Sequence, residues 1–388
     1  MSKFTALVKG DRTIWVIFIF LTIVSVLAVY TSIGFTARHD LGRSPLLATL
    51  RHLGFILGGY ACVWAGGRIH YKFFSQFSLL ALVVSVVFLV VVLAVFGGRW
   101  FRLPVIGSIQ PSELAKVSLL FFLANILAKF KDNMGDKYFV PLTLIPVLIT
   151  CGLIFPENLS SAIITGTVCF IMMYVAGVKK SALGKWLLIL LGFALVFVLV
   201  NMLIDKPLFR SETWASRVDK WLHPDYTIYN QENMSRMAVA RGGFFGAGIG
   251  NTIHGRLMTQ AHNDFIYAVI VEEAGSLIGV AILVAYSFLY LRCLVIARKC
   301  DKPFGKLVCV GVGTLIYIQA LVHICVSVGV IPVTGQTLPF ISYGGSAYLV
   351  MCVALGGVQS IAQDLRRRKA HEERNKQMTT VQETNTSE

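Results

Sequence analysis

Ten apolar runs divide this chain, at 13–35, 46–66, 74–97, 111–128, 139–155, 159–177, 184–204, 263–291, 306–330 and 345–363. A hydrocarbon core about 30 Å thick takes roughly 20 apolar residues as a helix, and inside it every backbone polar group must be satisfied within the protein. Runs of this length and number lead to an all-α fold, a polytopic membrane protein with about ten transmembrane helices. Composition agrees: of 388 residues, 56% are hydrophobic and only 14% charged, and the mean hydropathy is +0.70, outside the soluble range. The fourth and fifth runs carry charge or proline at their ends, so the count tolerates an error of one pair.

Basic residues set the orientation. With the N-terminus cytoplasmic, inside segments hold Lys3, Lys9 and Arg12, then Lys179, Lys180 and Lys185, then Arg292 to Lys306, then Arg366 to Lys376. The short outside loops and their helix ends hold only Arg38, Arg43, Arg51, Arg99 and Arg102. This positive-inside asymmetry places both termini in the cytoplasm. The net charge of +15 follows from topology and attraction to anionic lipid, and does not indicate a nucleic-acid partner. The first run is too long for a cleaved signal and is expected to remain as an anchor. Eight cysteines lie in spans or on the inner side without metal spacing, and read as small buried hydrophobes.

Two segments depart from the short-loop pattern. Residues 205–262 form a large outer loop between the seventh and eighth runs, and long loops in compact folds are usually functional. Residues 1–365 therefore read as one transmembrane domain that includes this loop. Residues 366–388 are polar and free of aromatics, and read as a disordered cytoplasmic tail.

Chemistry-bearing residues gather on the outer side. Thr334-Gly-Gln-Thr-Leu-Pro-Phe-Ile-Ser342-Tyr343-Gly-Gly-Ser346 mixes turn formers with packing aromatics, as a loop folded back into protein does. Asp264 opens the eighth span; it suits a helix N-cap and equally a general base. Glu272 and Glu273 follow about 12–14 Å further along the helix, where an ion pair that fixes packing is the simpler reading. Gln110-Pro-Ser-Glu113-Leu-Ala-Lys116 opens the fourth span with Glu113 and Lys116 on one face, a local salt bridge or a cation presented to an anion. Arg51, Arg217 and Arg241 add cations on the outer side, a set suited to a phosphate.

Gly98-Arg-Trp100, the Gln110–Lys116 block, Arg217 to Pro224, Gly242 to Gly248, His262-Asn-Asp264 with Glu272-Glu273-Ala-Gly275, and Thr334 to Ser346 occur here in one order. On these blocks, which cover nearly the whole chain, the sequence resembles the SEDS (FtsW/RodA/SpoVE) family of shape, elongation, division and sporulation proteins. The resemblance implies a peptidoglycan glycosyltransferase that polymerises lipid II, and glycan linked to undecaprenyl pyrophosphate, at the outer face of the bacterial cytoplasmic membrane. It implies a class B penicillin-binding protein and other division proteins as partners. Asp264 matches the family's essential aspartate; Trp100, Glu113, Lys116 and Arg217 match further motif positions, and Arg51, Arg241, Ser342 and Tyr343 complete the expected substrate site. Thr334-Gly-Gln-Thr-Leu-Pro is closer to the division branch than to the elongation branch, which places the protein at the septum. Two departures stand out. Pro156-Glu157-Asn158 replaces the family's Pro-Asp pair, and Thr259-Gln260 replaces a proline-glutamate pair before Asp264.

A lipid-pyrophosphate donor is already activated, so one base and several cations suffice, and no nucleotide-binding loop is needed. A divalent cation, Mg²⁺ or Mn²⁺, is compatible with this chemistry, though no ligand cluster demands it. The rival readings are a lipid II flippase, which fits the intramembrane charges Glu113, Lys116, Glu272, Glu273 and His323, and a scaffold for the penicillin-binding protein. Against transport, the strongest motifs collect on one membrane face and no repeated pair of broken helices is seen.

Overall fold

The computed structural model describes residues 9–39, 45–96, 101–103, 107–130, 139–203, 211–224 and 230–386. Helices occupy all ten apolar runs: α1 (Arg12–His39), α2 (Pro45–Gly66), then a short α3 (Tyr71–Gln76) before α4 (Ser78–Phe96). A small antiparallel pair, β1 (Phe101–Leu103) and β2 (Gly107–Ile109), precedes α5 (Pro111–Lys129), α6 (Phe139–Ile154), α7 (Leu159–Ala176) and α8 (Lys180–Leu203). The large loop contributes α9 (Ser211–Leu222), α10 (Gln231–Gly242) and α11 (His254–Leu257), followed by α12 (Ile266–Lys299), α13 (Pro303–Ser327) and α14 (Gly345–Thr386). Eight of these, among the described residues, are long and apolar enough to cross a membrane, so the chain is a multi-pass membrane protein. The helix over 139–154 is shorter, at 16 residues.

Local signals explain the boundaries. Proline opens α5 and α13, where its missing N–H costs nothing. Asn158 caps α7 by accepting from Ser161 N at 3.1 Å, and Gly177 ends it in the left-handed region at φ 88°. The bundle centres on α5, α12, α13 and α14, with α12 lying along α13 and α14 along α2. In that last pair the backbones nearly touch: a Cβ on Gly66 would fall 2.7 Å from Gly356 Cα, the small-residue packing that lets membrane helices gain dispersion energy.

Two differences from the sequence reading have physical causes. The strands β1 and β2, three residues each, are too short to carry a strand pattern. The tail from 366 continues α14 as helix to Thr386: low apolarity suggested disorder, yet residues 362–378 contain no glycine or proline and are dense in Gln, Glu, Lys and Arg, all good helix formers. Asp364 and Arg368 pair one turn apart at 2.8 Å.

Candidate active site

Asp264 sits in a turn, not at a helix cap. Asn263 N and Asp264 N both donate to Gln260 O, at 3.1 and 3.0 Å, and α12 begins two residues later, with Phe265 at the N-cap and no side-chain capping bond. The helix therefore takes Phe265, not Asp264, as its N-cap. The turn rests on buried Ala261, Phe265, Met258, Met234 and Val326, which leaves Asp264 half-buried just before the N-terminal end of α12. Burial pushes the neighbouring His262 down to about 4, so its imidazole is neutral at physiological pH.

The Thr334–Ser346 loop is stitched to this turn. Ser342 Oγ accepts from Leu338 N and donates to Asn263 O, each at 2.8 Å, while Tyr343 N donates to His262 O at 3.0 Å. The Tyr343 ring lies between His262 and His52, with centroids 5.6 and 5.5 Å away. Beneath it, Ser25 Oγ donates to Ile341 O at 2.7 Å and meets His52 Nε2 at 2.9 Å, and the buried Tyr286 hydroxyl donates to Pro339 O. Phe340 adopts φ 64°, alone among the described non-glycine residues in its positive sign. A bulky side chain there is strained; its ring, packed edge-on against Phe18 at 5.3 Å, holds it in place.

The same loop reaches the Gln110–Lys116 block. Gln110 N donates to Ser346 Oγ at 3.1 Å, and Glu113 lines one crevice together with Thr337, Leu338, Phe340 and Ser342. Lys116 Nζ bonds Glu113 Oε1 at 2.7 Å with both side chains buried. The salt-bridge reading of this pair holds, and Lys116 points its charge into the bundle.

Arg217 on α9 donates to Val333 O at 3.2 Å and, with Trp214, Asn158, Ser160 and Thr334, lines a cleft at the entry of the loop. Trp221 Nε1 fastens the same helix to Gly329 O at 3.1 Å. Arg51 stands half-buried in the second turn of α2, next to His52. Arg241 goes elsewhere: its Nη1 binds Glu272 Oε1 at 3.0 Å and Asn251 O at 2.9 Å. Glu272 also accepts from Ile253 N and His254 N and meets His254 Nδ1 at 2.9 Å. The ion pair read for Glu272 is thus present, and Arg241 is the cation that makes it. Trp100 lies outside the described residues.

The sequence reading missed a buried amide network at the root of the loop. Gln336 Nε2 bonds Asn158 Oδ1 at 3.1 Å and Ser161 Oγ at 2.8 Å, its oxygen faces Gln319 Nε2 at 3.4 Å, and its carbonyl meets His323 Nδ1 at 2.8 Å. The available signal was Gln319 inside the ninth apolar run, an amide that is costly in lipid unless it is paired. Among the described residues no group of three His, Cys, Asp or Glu side chains is placed to hold a metal ion.

A membrane-embedded helical bundle in which an anchored loop backs the turn that carries Asp264 is thus the class of molecule at hand. The chain belongs to the FtsW/RodA/SpoVE family of cell cycle proteins, whose model matches residues 11–367. It is 33% identical over 356 residues to the probable peptidoglycan glycosyltransferase FtsW of Bacillus subtilis, covering 86% of each chain. It is 30% identical to the protein of the same description from Aliivibrio salmonicida, over 85% of this chain and 83% of that one. Among solved structures, a chain of a peptidoglycan synthase complex superposes with a TM-score of 0.68 at 24% identity, over 92% of this chain and 98% of that one. Rod shape determining protein RodA of Thermus thermophilus gives 0.62 at 23%, over 92% and 97%. At these identities the two structures speak for the fold.

Proposed function

We propose that the protein is a peptidoglycan glycosyltransferase that polymerises lipid II at the outer face of the bacterial cytoplasmic membrane, with both termini cytoplasmic. The observation that carries this reading is the junction of the Asp264 turn with the Thr334–Ser346 loop through Ser342 and Tyr343, which holds a half-buried carboxylate at the membrane surface where a lipid-linked sugar presents its head. Asp264 takes the proton from the attacking sugar hydroxyl of one lipid II. That hydroxyl displaces the lipid pyrophosphate of the growing strand, with inversion at the anomeric carbon. Arg217 and Arg51 hold the departing pyrophosphate; Lys116, paired with Glu113, supports the crevice from beneath.

A divalent cation, Mg²⁺ or Mn²⁺, would be held by Asp264 and would supply positive charge to stabilise the departing pyrophosphate. The division assignment rests on the Thr334-Gly-Gln-Thr-Leu-Pro segment and on the FtsW descriptions of the relatives. On this reading the chain works at the septum beside a class B penicillin-binding protein and other division proteins. The test is polymerisation of labelled lipid II by the purified chain with its penicillin-binding partner. Long strands from wild type and none from Asp264→Ala support the transferase; lipid II crossing vesicles without strands would replace it with the flippase.

A further inference from the structure

Helix α12 breaks at Gly275, where φ 85° and ψ 168° interrupt the helical run. Below the break, Leu277, Val280, Val284, Phe288 and Leu291 recur at helical spacing and are all exposed, an apolar stripe turned to lipid. From Gly275 to Lys299 the helix rises about 36 Å at 1.5 Å per residue, enough to cross a hydrocarbon core of about 30 Å. Arg298 and Lys299 mark its cytoplasmic end. Gly275 therefore stands at the outer boundary of the hydrocarbon, and Ile266 to Ala274 carry the chain back from the Asp264 turn.

At that depth residues 243–250 press against the break. Ser276 N donates to Gly243 O at 3.0 Å and Leu277 N to Phe244 O at 3.4 Å, while Ala247 N and Gly248 N donate to Glu272 O and Glu273 O at 2.8 and 2.9 Å. The two backbones are too close for a side chain: a Cβ on Gly275 would lie 2.3 Å from Phe244 O. These bonds satisfy groups that a broken helix otherwise leaves open, and they set Phe244 immediately above Leu277, the top of the stripe. Phe244 is 60%, Phe245 80% and Ile249 64% exposed, with the two phenyl rings edge to face at 4.9 Å.

We infer that residues 243–250 form a membrane-seated wedge, with Phe244, Phe245 and Ile249 inserted among the phospholipid acyl chains of the outer leaflet. Depth and continuity with the lipid-facing stripe select phospholipid over a protein partner, and exposed Phe and Ile side chains are of the apolar kind that interfacial segments bury at the boundary of headgroups and acyl chains. Two of the four backbone bonds, from Ala247 N and Gly248 N, and the Glu272 network tie the wedge to the outer segment of α12, and the other two tie it to the segment below the break. Its seating sets the height of the Asp264 turn above the bilayer. That consequence rests on the glycosyltransferase reading, whereas the wedge itself does not.

The experiment places p-benzoylphenylalanine at position 245 of the full chain, and at exposed position 219 on α9 as the comparison, in vesicles of phosphatidylethanolamine and phosphatidylglycerol without lipid II. After irradiation, mass spectrometry reads the adducts. Position 245 is expected to give several-fold more phospholipid adducts than 219, bonded along the acyl chains. Lipid adducts at 245 no more frequent than at 219, or bonded only to headgroups, would overturn the wedge. So would adducts confined to the protein itself. Because no substrate is present, this result does not depend on whether the chain polymerises lipid II.

Discussion

Where the chain enters the bundle, the Asp11 carboxylate accepts from Thr13 N at 3.0 Å and Ile14 N at 3.3 Å, and from Arg292 Nε and Nη2 at 3.0 and 2.7 Å. Gln359 bonds the Asp11 backbone through both ends of its amide, and Gln363 takes Gly10 N at 2.8 Å. At the opposite end, around Asp264, His262 Nδ1, Asn263 Oδ1 and Thr334 Oγ1 are buried and carry no protein partner, and Phe340 is strained. The clasp at Asp11 spends its polar groups on itself, as a structural joint does. The Asp264 end keeps polar groups uncommitted and stores strain, which stability alone would not favour. Substitutions at the two ends should separate accordingly into effects on stability and effects on rate.

Asp264 is the extreme case on the rate side. Asp264→Ala and Asp264→Asn should each lower strand synthesis by about 10²–10⁴-fold, the span of a general base, with membrane insertion and melting temperature unchanged. Strand-length analysis on gels reads this directly. Activity retained in the Asn variant would remove the base role and leave a positioning one.

Lys116 probes the boundary between the two behaviours. Lys116→Met leaves Glu113 buried and unpaired, a loss of about 3–5 kcal/mol for a broken buried pair, and thermal unfolding in detergent should show it. Adding Glu113→Gln removes the stranded charge and should restore most of the stability. If the double variant melts like wild type yet makes no strands, the pair serves the crevice; if it also polymerises, the pair is structural only.

The clasp is next in size. Arg292→Ala should lower stability by about 1.5–3 kcal/mol, the range for hydrogen bonds to a charged group, and leave the rate per folded molecule intact. Burial alone would raise the Asp11 pKa, but the Arg292 bonds and charge, with the Ile14 amide, hold it below the ordinary carboxylate range. The sign follows from linkage: a depressed folded pKa contributes stability that is full above the unfolded value near 3.9 and is lost as pH falls through the folded one. Unfolding measured from pH 5 downward should therefore lose stability in wild type more steeply than in Arg292→Ala. Parallel curves would show that Arg292 does not set the Asp11 titration.

Much of this division was legible before the fold was seen. Apolar length alone gave the spans, because lipid leaves the backbone no choice. The outer motifs announced themselves by composition, since glycine, proline and hydroxyls between apolar runs have few structural uses. What stayed hidden depends on register across long separations. Nothing local tells that Ser342 meets Asn263, 79 positions away, that Arg241 is consumed by Glu272, 31 positions on, or that Gln336 is anchored by Asn158, 178 positions earlier. Asn158 did appear as a departure from the family pattern, and its amide bond to Gln336 gives that departure a physical role.

Ser342 gives the smallest effect and the finest discrimination. Its hydroxyl ties Leu338 N to Asn263 O, and so couples the strained loop to the turn that carries Asp264. Ser342→Ala removes two neutral hydrogen bonds, each worth about 1 kcal/mol net, without opening a cavity. If the bonds only hold the loop, that loss appears in the melting temperature and the rate per folded molecule stays at wild type. If they position Asp264, the rate falls roughly fivefold to tenfold for each 1–1.4 kcal/mol of lost alignment. Ser342→Thr, which retains the hydroxyl, should then recover the rate. We expect the second outcome, because Asn263 O is reached from the same residue that fixes Leu338, so slack in the loop passes directly into the turn one peptide from the carboxylate.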